Sequence, residues 1–185
     1  MGAAFNHDSY HCFSTGCLAV SARFLGKGKD EIARTALDVQ GRWKEGELTR
    51  YEVAGVFVDE LLATSETEGE TEDKWLEKVN ILTTTWYGRP RVTVAKSREE
   101  LKGLLIKTSF IPFATGFGFN NDGEMDGGFS MILHPRCKRG IYLPVRWDMI
   151  ANVLNVNMGM ETVERLYEEG VKDEEKRKEV GLASV

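Results

Sequence analysis

The chain has 185 residues, of which 42% are apolar, 29% charged and 10% aromatic. A mean hydropathy of -0.32 with this many aromatics excludes a disordered chain, and no run approaches the ~20 apolar residues of a membrane span. The net charge of -5 excludes nucleic acid as the main partner, because phosphate binding rests on clustered Lys and Arg.

Residues 9–13 (SYHCF) read as a short strand that runs into Ser14-Thr15-Gly16. Cys17, Leu18, Val20, Phe24 and Leu25 then recur at helical spacing until Gly26-Lys27-Gly28 stops them. A second helix is expected over residues 30–43. A third is expected over 47–62, with Gly55 on its apolar face. Residues 64–73 are acidic and carry no apolar side chain, which reads as an exposed loop. Residues 75–86 and 91–95 are rich in Val, Ile, Thr and Trp and predict a hairpin joined by Tyr87-Gly88-Arg89-Pro90. Ser97-Arg98-Glu99-Glu100 is a capped start for a helix reaching to about Lys107. Residues 114–128, with five glycines and two asparagines, are turn-rich. Strands are expected over 129–133 and 141–145. Met160, Val163, Leu166, Tyr167 and Val171 mark a terminal amphipathic helix that ends in a charge run. Strands alternating with helices predict an α/β layer fold with mixed pairing.

Three cysteines, Cys12, Cys17 and Cys137, are an odd number in a chain long enough to need no covalent staple. Reduced, cytosolic thiols are therefore expected. Residues 1–10 lack the basic start and apolar run of a signal peptide, and Asn6 stands where a myristoylation motif wants Ser or Thr.

Three constellations can carry chemistry. Cys12-Phe13-Ser14-Thr15-Gly16 lies between a strand and an apolar helix. Ser14 there is either an ordinary helix N-cap or a nucleophile on a strand-to-helix elbow, where the sharp turn exposes Oγ and the helix N-terminus favours negative charge. Asp126-Gly127-Gly128-Phe129-Ser130 closes the glycine-rich stretch and reads as a turn, with a calcium loop as the rival. Asp122, Glu124, Asp126 and Gly127 copy the first half of a calcium loop, but the twelfth position is Leu133, where a bidentate Glu is required. His7, His11 and His134 are the candidate general bases of a Ser-His-Asp arrangement; His134 follows Asp126 by eight residues, with an exposed loop histidine beside Pro135 as its plainer reading.

The ordered set of segments resembles the patatin-like phospholipase family, nearest the branch that includes animal triglyceride lipases. CFSTGCLAVSARFLG looks like the family's elbow strand, turn and helix. VNILTTTWYGRPRV is similar to its strand-turn-strand, and SREELKGLLIKTSFIPFATGFGF to its helix and Ser-Phe-Ile-Pro-Phe segment. EMDGGFSMILHP fits its aspartate motif, and VERLYEEGVKDEE resembles its closing helix, so the resemblance runs from about Tyr10 to Glu175.

That resemblance implies one domain over residues 1–185. It implies a three-layer patatin-like fold with a central mixed, mainly parallel sheet flanked by helices. It implies a lipid acyl hydrolase with Ser14 as nucleophile and Asp126 as base, without cofactor or metal. Thr15, Gly16 and Cys12 would form the elbow and oxyanion side, and Gly127 and Gly128 would support the aspartate. Two departures stand out. Cys12 occupies the place of the first elbow glycine, and no Gly-Gly-Gly-x-Arg/Lys-Gly oxyanion loop with its strand is read before Ser14. The implied substrate is an ester of phospholipid or triacylglycerol, met at a membrane or lipid-droplet surface by a cytoplasmic or peripheral protein without a membrane span. The alternative is a catalytically weak or inactive relative that binds lipid or a partner protein.

Overall fold

A computed structural model describes residues 9–63, 72–133 and 159–179. The chain divides into two compact units, His7–Arg136 and a second made of Met1–Asn6 with Cys137–Val185. Described by itself, the second unit contributes the helix Met160–Glu179 (numbered α6 below). Among the described residues, no helix is long and apolar enough to cross a membrane.

The unit His7–Arg136 is built around the β-branched run Val79–Thr85, which forms the strand β2. Five of its seven residues are buried, as a central strand requires. The strand β1, Tyr10–Cys12, pairs with β2 in parallel, with Tyr10 opposite Val79 and Cys12 opposite Ile81. The strand β3, Pro90–Val94, pairs antiparallel along the other edge. The strand β4, Glu124–Asp126, also pairs antiparallel with β2, from Thr85 opposite Glu124 to Thr83 opposite Asp126. Since β3 fills one edge of β2, β1 and β4 share the other. Their C-terminal ends therefore meet across Ile81–Thr83, and that meeting point organises everything described below.

Of the helices α1 (Thr15–Phe24), α2 (Lys29–Lys44), α3 (Val53–Leu62) and α4 (Arg98–Thr108), α1 and α4 pack on the sheet, α3 packs on α4, and α2 packs on α3. The core joins Cys12 and Cys17 to Val58, Leu76, Val79, Ile81, Ala95, Leu101 and Leu105. Stacking of Phe24 on Trp75, with ring centroids 5.1 Å apart, closes its margin. The helix α4 starts as its sequence dictates: Ser97 Oγ accepts the Glu100 N–H at 3.2 Å, and Glu100 Oε2 accepts the Lys96 N–H at 2.7 Å.

The α/β class with a mixed sheet is as expected, but the pairing is not mainly parallel. Among the described strands, one pair is parallel and two are antiparallel. The hairpin turn through Gly88, at φ 82°, folds β3 straight back on β2. Other boundaries differ too. Residues 72–78 form a 3₁₀ turn ahead of β2, and the third helix begins at Val53. Upstream of it, Glu52 Oε2 accepts both the N–H and the hydroxyl of Thr49, at 2.7 Å each, which holds that segment as a turn. The strand expected over 129–133 is instead the helix α5, Gly128–Leu133. A short apolar run cannot be told from a buried helical turn by periodicity alone. Residues 64–71 of the expected acidic loop, and the strand expected over 141–145, lie outside the described residues.

A candidate Ser–Asp active site at the β1 and β4 ends

Directly beyond β1 the chain turns sharply into α1. Ser14 occupies the N-cap position of that helix with φ 52° and ψ -142°, a left-handed backbone that a non-glycine residue adopts at a cost of order 1–3 kcal/mol. The Ser14 side chain does not cap the helix. The turn is closed by the main chain, with the Gly16 N–H on the Phe13 carbonyl and the Cys17 N–H on the Ser14 carbonyl, both at 3.0 Å. Released from capping, Ser14 Oγ donates to Asp126 Oδ2 at 2.6 Å. The N-cap reading of Ser14 is thereby corrected: the residue holds the cap position while its hydroxyl serves a carboxylate from another element. Thr15 and Gly16 form the first turn of α1, and the Thr15 N–H makes no hydrogen bond among the described residues.

Asp126, the last residue of β4, is fixed from several directions. Its N–H donates to the Phe110 carbonyl at 2.9 Å, and its carbonyl accepts the Thr84 hydroxyl at 2.8 Å. Its second carboxylate oxygen, Oδ1, accepts the Gly128 N–H at 2.7 Å, an Asx-type turn that starts α5. The two glycines after it have separate reasons. A Cβ on Gly127 would stand 2.2 Å from the Leu82 carbonyl oxygen and 2.7 Å from Phe13 Cβ, so the backbone passes β2 where a side chain has no room. A Cβ on Gly128 would meet Asp126 Oδ1 at 3.0 Å, so this glycine leaves the carboxylate its place.

Burial raises the Asp126 carboxyl above the ordinary carboxylate value, and the donated bonds from Ser14 and Gly128 pull it the other way. The residue is 6% exposed. A partly desolvated carboxylate on a serine hydroxyl is a stronger base than the same group in water.

The cysteines differ from expectation. Cys12 and Cys17 form a disulfide, with Cα atoms 5.0 Å apart, a span that accommodates such a bond. The bridge runs from the end of β1 to the first turn of α1 and brackets Ser14. Sequence counting misses it because spacing along a chain says nothing of two Cβ atoms brought together by a sharp turn. Cys137 lies outside the described residues, as do His7 and His134. His11 is an exposed residue of β1.

The acidic residues weighed for calcium are separated by their partners: Asp122 faces Lys107 at 3.3 Å, Glu124 pairs with Arg91, and Asp126 holds Ser14. Among the described residues, no group of three or more His, Cys, Asp or Glu is arranged to hold a metal ion. A groove of about 250 Å³ between α3 and the loop before β4 is lined by Tyr51, Gly55, Phe110 and Phe117, and neither Ser14 nor Asp126 is among its walls.

Sequence reasoning missed the residues that aim the pair. Thr108 holds Ser14, and Thr84 and Phe110 hold Asp126, each through one hydrogen bond, while the Leu82 carbonyl accepts the Thr108 hydroxyl; such contacts leave no motif. No family model matches the chain, and no curated protein or solved structure matches it either.

Proposed function

We propose that this protein is a carboxylic ester hydrolase acting through a Ser14–Asp126 dyad, a lipid acyl hydrolase of the patatin-like type with that family's three-layer fold. The observation that carries the reading is one arrangement: a serine at φ 52° on a strand-to-helix turn, its Oγ 2.6 Å from a buried carboxylate. Strain of this kind is expensive and recurs where a nucleophile is presented. The lipid class rests on the resemblance of the ordered motifs. The apolar rings of Phe113, Phe117 and Phe119, exposed on the loop that leads into β4, support it.

The mechanism follows from the atoms in place. Ser14 Oγ attacks the ester carbonyl carbon while Asp126 Oδ2 takes the hydroxyl proton. The carbonyl π pair moves onto oxygen, and the Thr15 N–H, at the positive end of α1, is placed to stabilise that charge. Collapse expels the alcohol, which leaves with the proton from Asp126. Water, deprotonated by the same carboxylate, then attacks the acyl-Ser14 carbonyl; the acyl–Oγ bond breaks, Ser14 Oγ takes back the proton from Asp126, and the acid is released.

The test uses purified chain with a nitrophenyl butyrate, a phosphatidylcholine and a triacylglycerol, beside Ser14→Ala and Asp126→Asn. Ser14→Ala should reduce turnover to background. Asp126→Asn should cost about 10²–10⁴-fold, the usual worth of a positioned general base. The two losses should not add in the double variant. Turnover that survives Ser14→Ala would overturn the assignment.

A further inference from the structure

The strained backbone of Ser14 needs a holder, and the bonds around it identify one. The Ser14 N–H donates to Thr108 Oγ1 at 2.9 Å. Thr108 Oγ1 in turn donates to the Leu82 carbonyl at 2.6 Å. A hydroxyl has one proton, so these two bonds fix each other's direction: the proton lies on the Leu82 side and a lone pair faces Ser14. Thr108 is fully buried, and Leu82 belongs to the central strand.

The Leu82 carbonyl is also the atom against which Gly127 packs, at a distance no side chain would allow. Both halves of the Ser–Asp pair are therefore referenced to one point on β2. Ser14 reaches it through the Thr108 hydroxyl, and Asp126 reaches it through its neighbour Gly127. The bond to Thr108 also turns the Ser14 N–H away from service to a reacting carbonyl. That leaves the next amide, Thr15, as the donor on the α1 side.

We propose that Thr108 is a positioning residue: its hydroxyl clamps the Ser14 main chain at its left-handed angle and so sets the Oγ-to-Asp126 geometry. This rests on the hydrolase reading for its kinetic consequence, but its structural content can be read without turnover. Thr108→Val keeps the shape and removes the hydroxyl. Thr108→Ser keeps the hydroxyl, and Thr108→Ala removes it without any risk of overpacking.

In the full chain, Thr108→Val and Thr108→Ala should lower kcat on nitrophenyl butyrate by about 10–10²-fold, the scale of a small misplacement of a reacting group, with KM within about twofold. Thr108→Ser should recover most of the loss. Amide exchange at Ser14, followed by NMR on the same proteins, should be slow in the parent and in Thr108→Ser and markedly faster in the other two. Unchanged Ser14 protection in Thr108→Ala, or in a folded Thr108→Val, would overturn the clamp. An inactive parent that nevertheless shows the exchange pattern would overturn the hydrolase reading and leave the clamp standing. A purely structural threonine would lower thermal stability while kcat and the Ser14 exchange rate stayed at parental values, which would also overturn the proposal.

Discussion

At the scale of single residues, the burial of Asp126 ties folding stability to pH with a definite sign. In the unfolded chain its carboxyl ionises near 3.8, whereas burial places the folded value higher. Below 3.8 the group is protonated in both states and costs nothing. As pH rises through the folded value the buried carboxylate must ionise, the unfolded chain ionises more readily, and folding stability is lost. Above that window the loss is complete and constant. Asp126→Asn removes the charge while its amide oxygen still accepts the Gly128 N–H and its amide nitrogen donates to Ser14 Oγ. We therefore expect the variant to melt above the parent at pH 7 and the two curves to converge near pH 3.5, as followed by circular dichroism across pH. The acid limb of kcat/KM should rise with the same elevated pKa, because only the ionised carboxylate can take the Ser14 proton. Equal melting temperatures at pH 7 would mean that the carboxylate is not desolvated as its burial implies.

Among the elements, α4 carries two unlike jobs at its two ends. Ser97 and Glu100 cap its start, while Thr108 at its last position holds Ser14. Its 11 residues separate those ends by about 16 Å. Ser97→Ala should cost about 1 kcal/mol, seen as a melting point lowered by about 2–4 °C, and should leave kcat unchanged. A fall in kcat with no fall in stability would mean that the cap is coupled to the site. The legibility of the chain followed the same division. The cap at Ser97, the β-branched run that became β2 and the Ser14 and Asp126 motifs were all readable, because each is written in consecutive residues. The helical state of residues 128–133 was not, since it is decided by the Asp126 Oδ1 bond to the Gly128 N–H and by the Ser130 hydroxyl on the Gly127 carbonyl at 3.1 Å. The Cys12–Cys17 bridge was hidden for a related reason. It exists because the Ser14 turn reverses the chain, and no spacing rule encodes that turn.

For the whole molecule, the division into two units makes a prediction about where the proposed activity would reside. Ser14, Asp126, the Thr108 clamp and the entire described sheet belong to His7–Arg136. That unit has its own buried core and a length within the usual range of a domain, roughly 50–250 residues. The resemblance of the sequence, by contrast, extends to about Glu175 and includes the segment that forms α6. The two observations separate experimentally. A chain ending at Arg136 should keep its circular dichroism signature of mixed helix and strand, and a fluorophosphonate probe should label it at Ser14 with a rate constant within a few-fold of the full chain's. Under the proposed mechanism, phosphonylation needs only Ser14, Asp126 and the Thr15 amide, which all belong to this unit, whereas turnover of a long-chain lipid would also need a binding surface. Loss of lipid turnover with labelling preserved would assign substrate binding to residues beyond Arg136. Loss of labelling in a folded fragment would mean that those residues complete the reactive centre itself, and that the Ser14–Asp126 contact is not sufficient to make the serine nucleophilic.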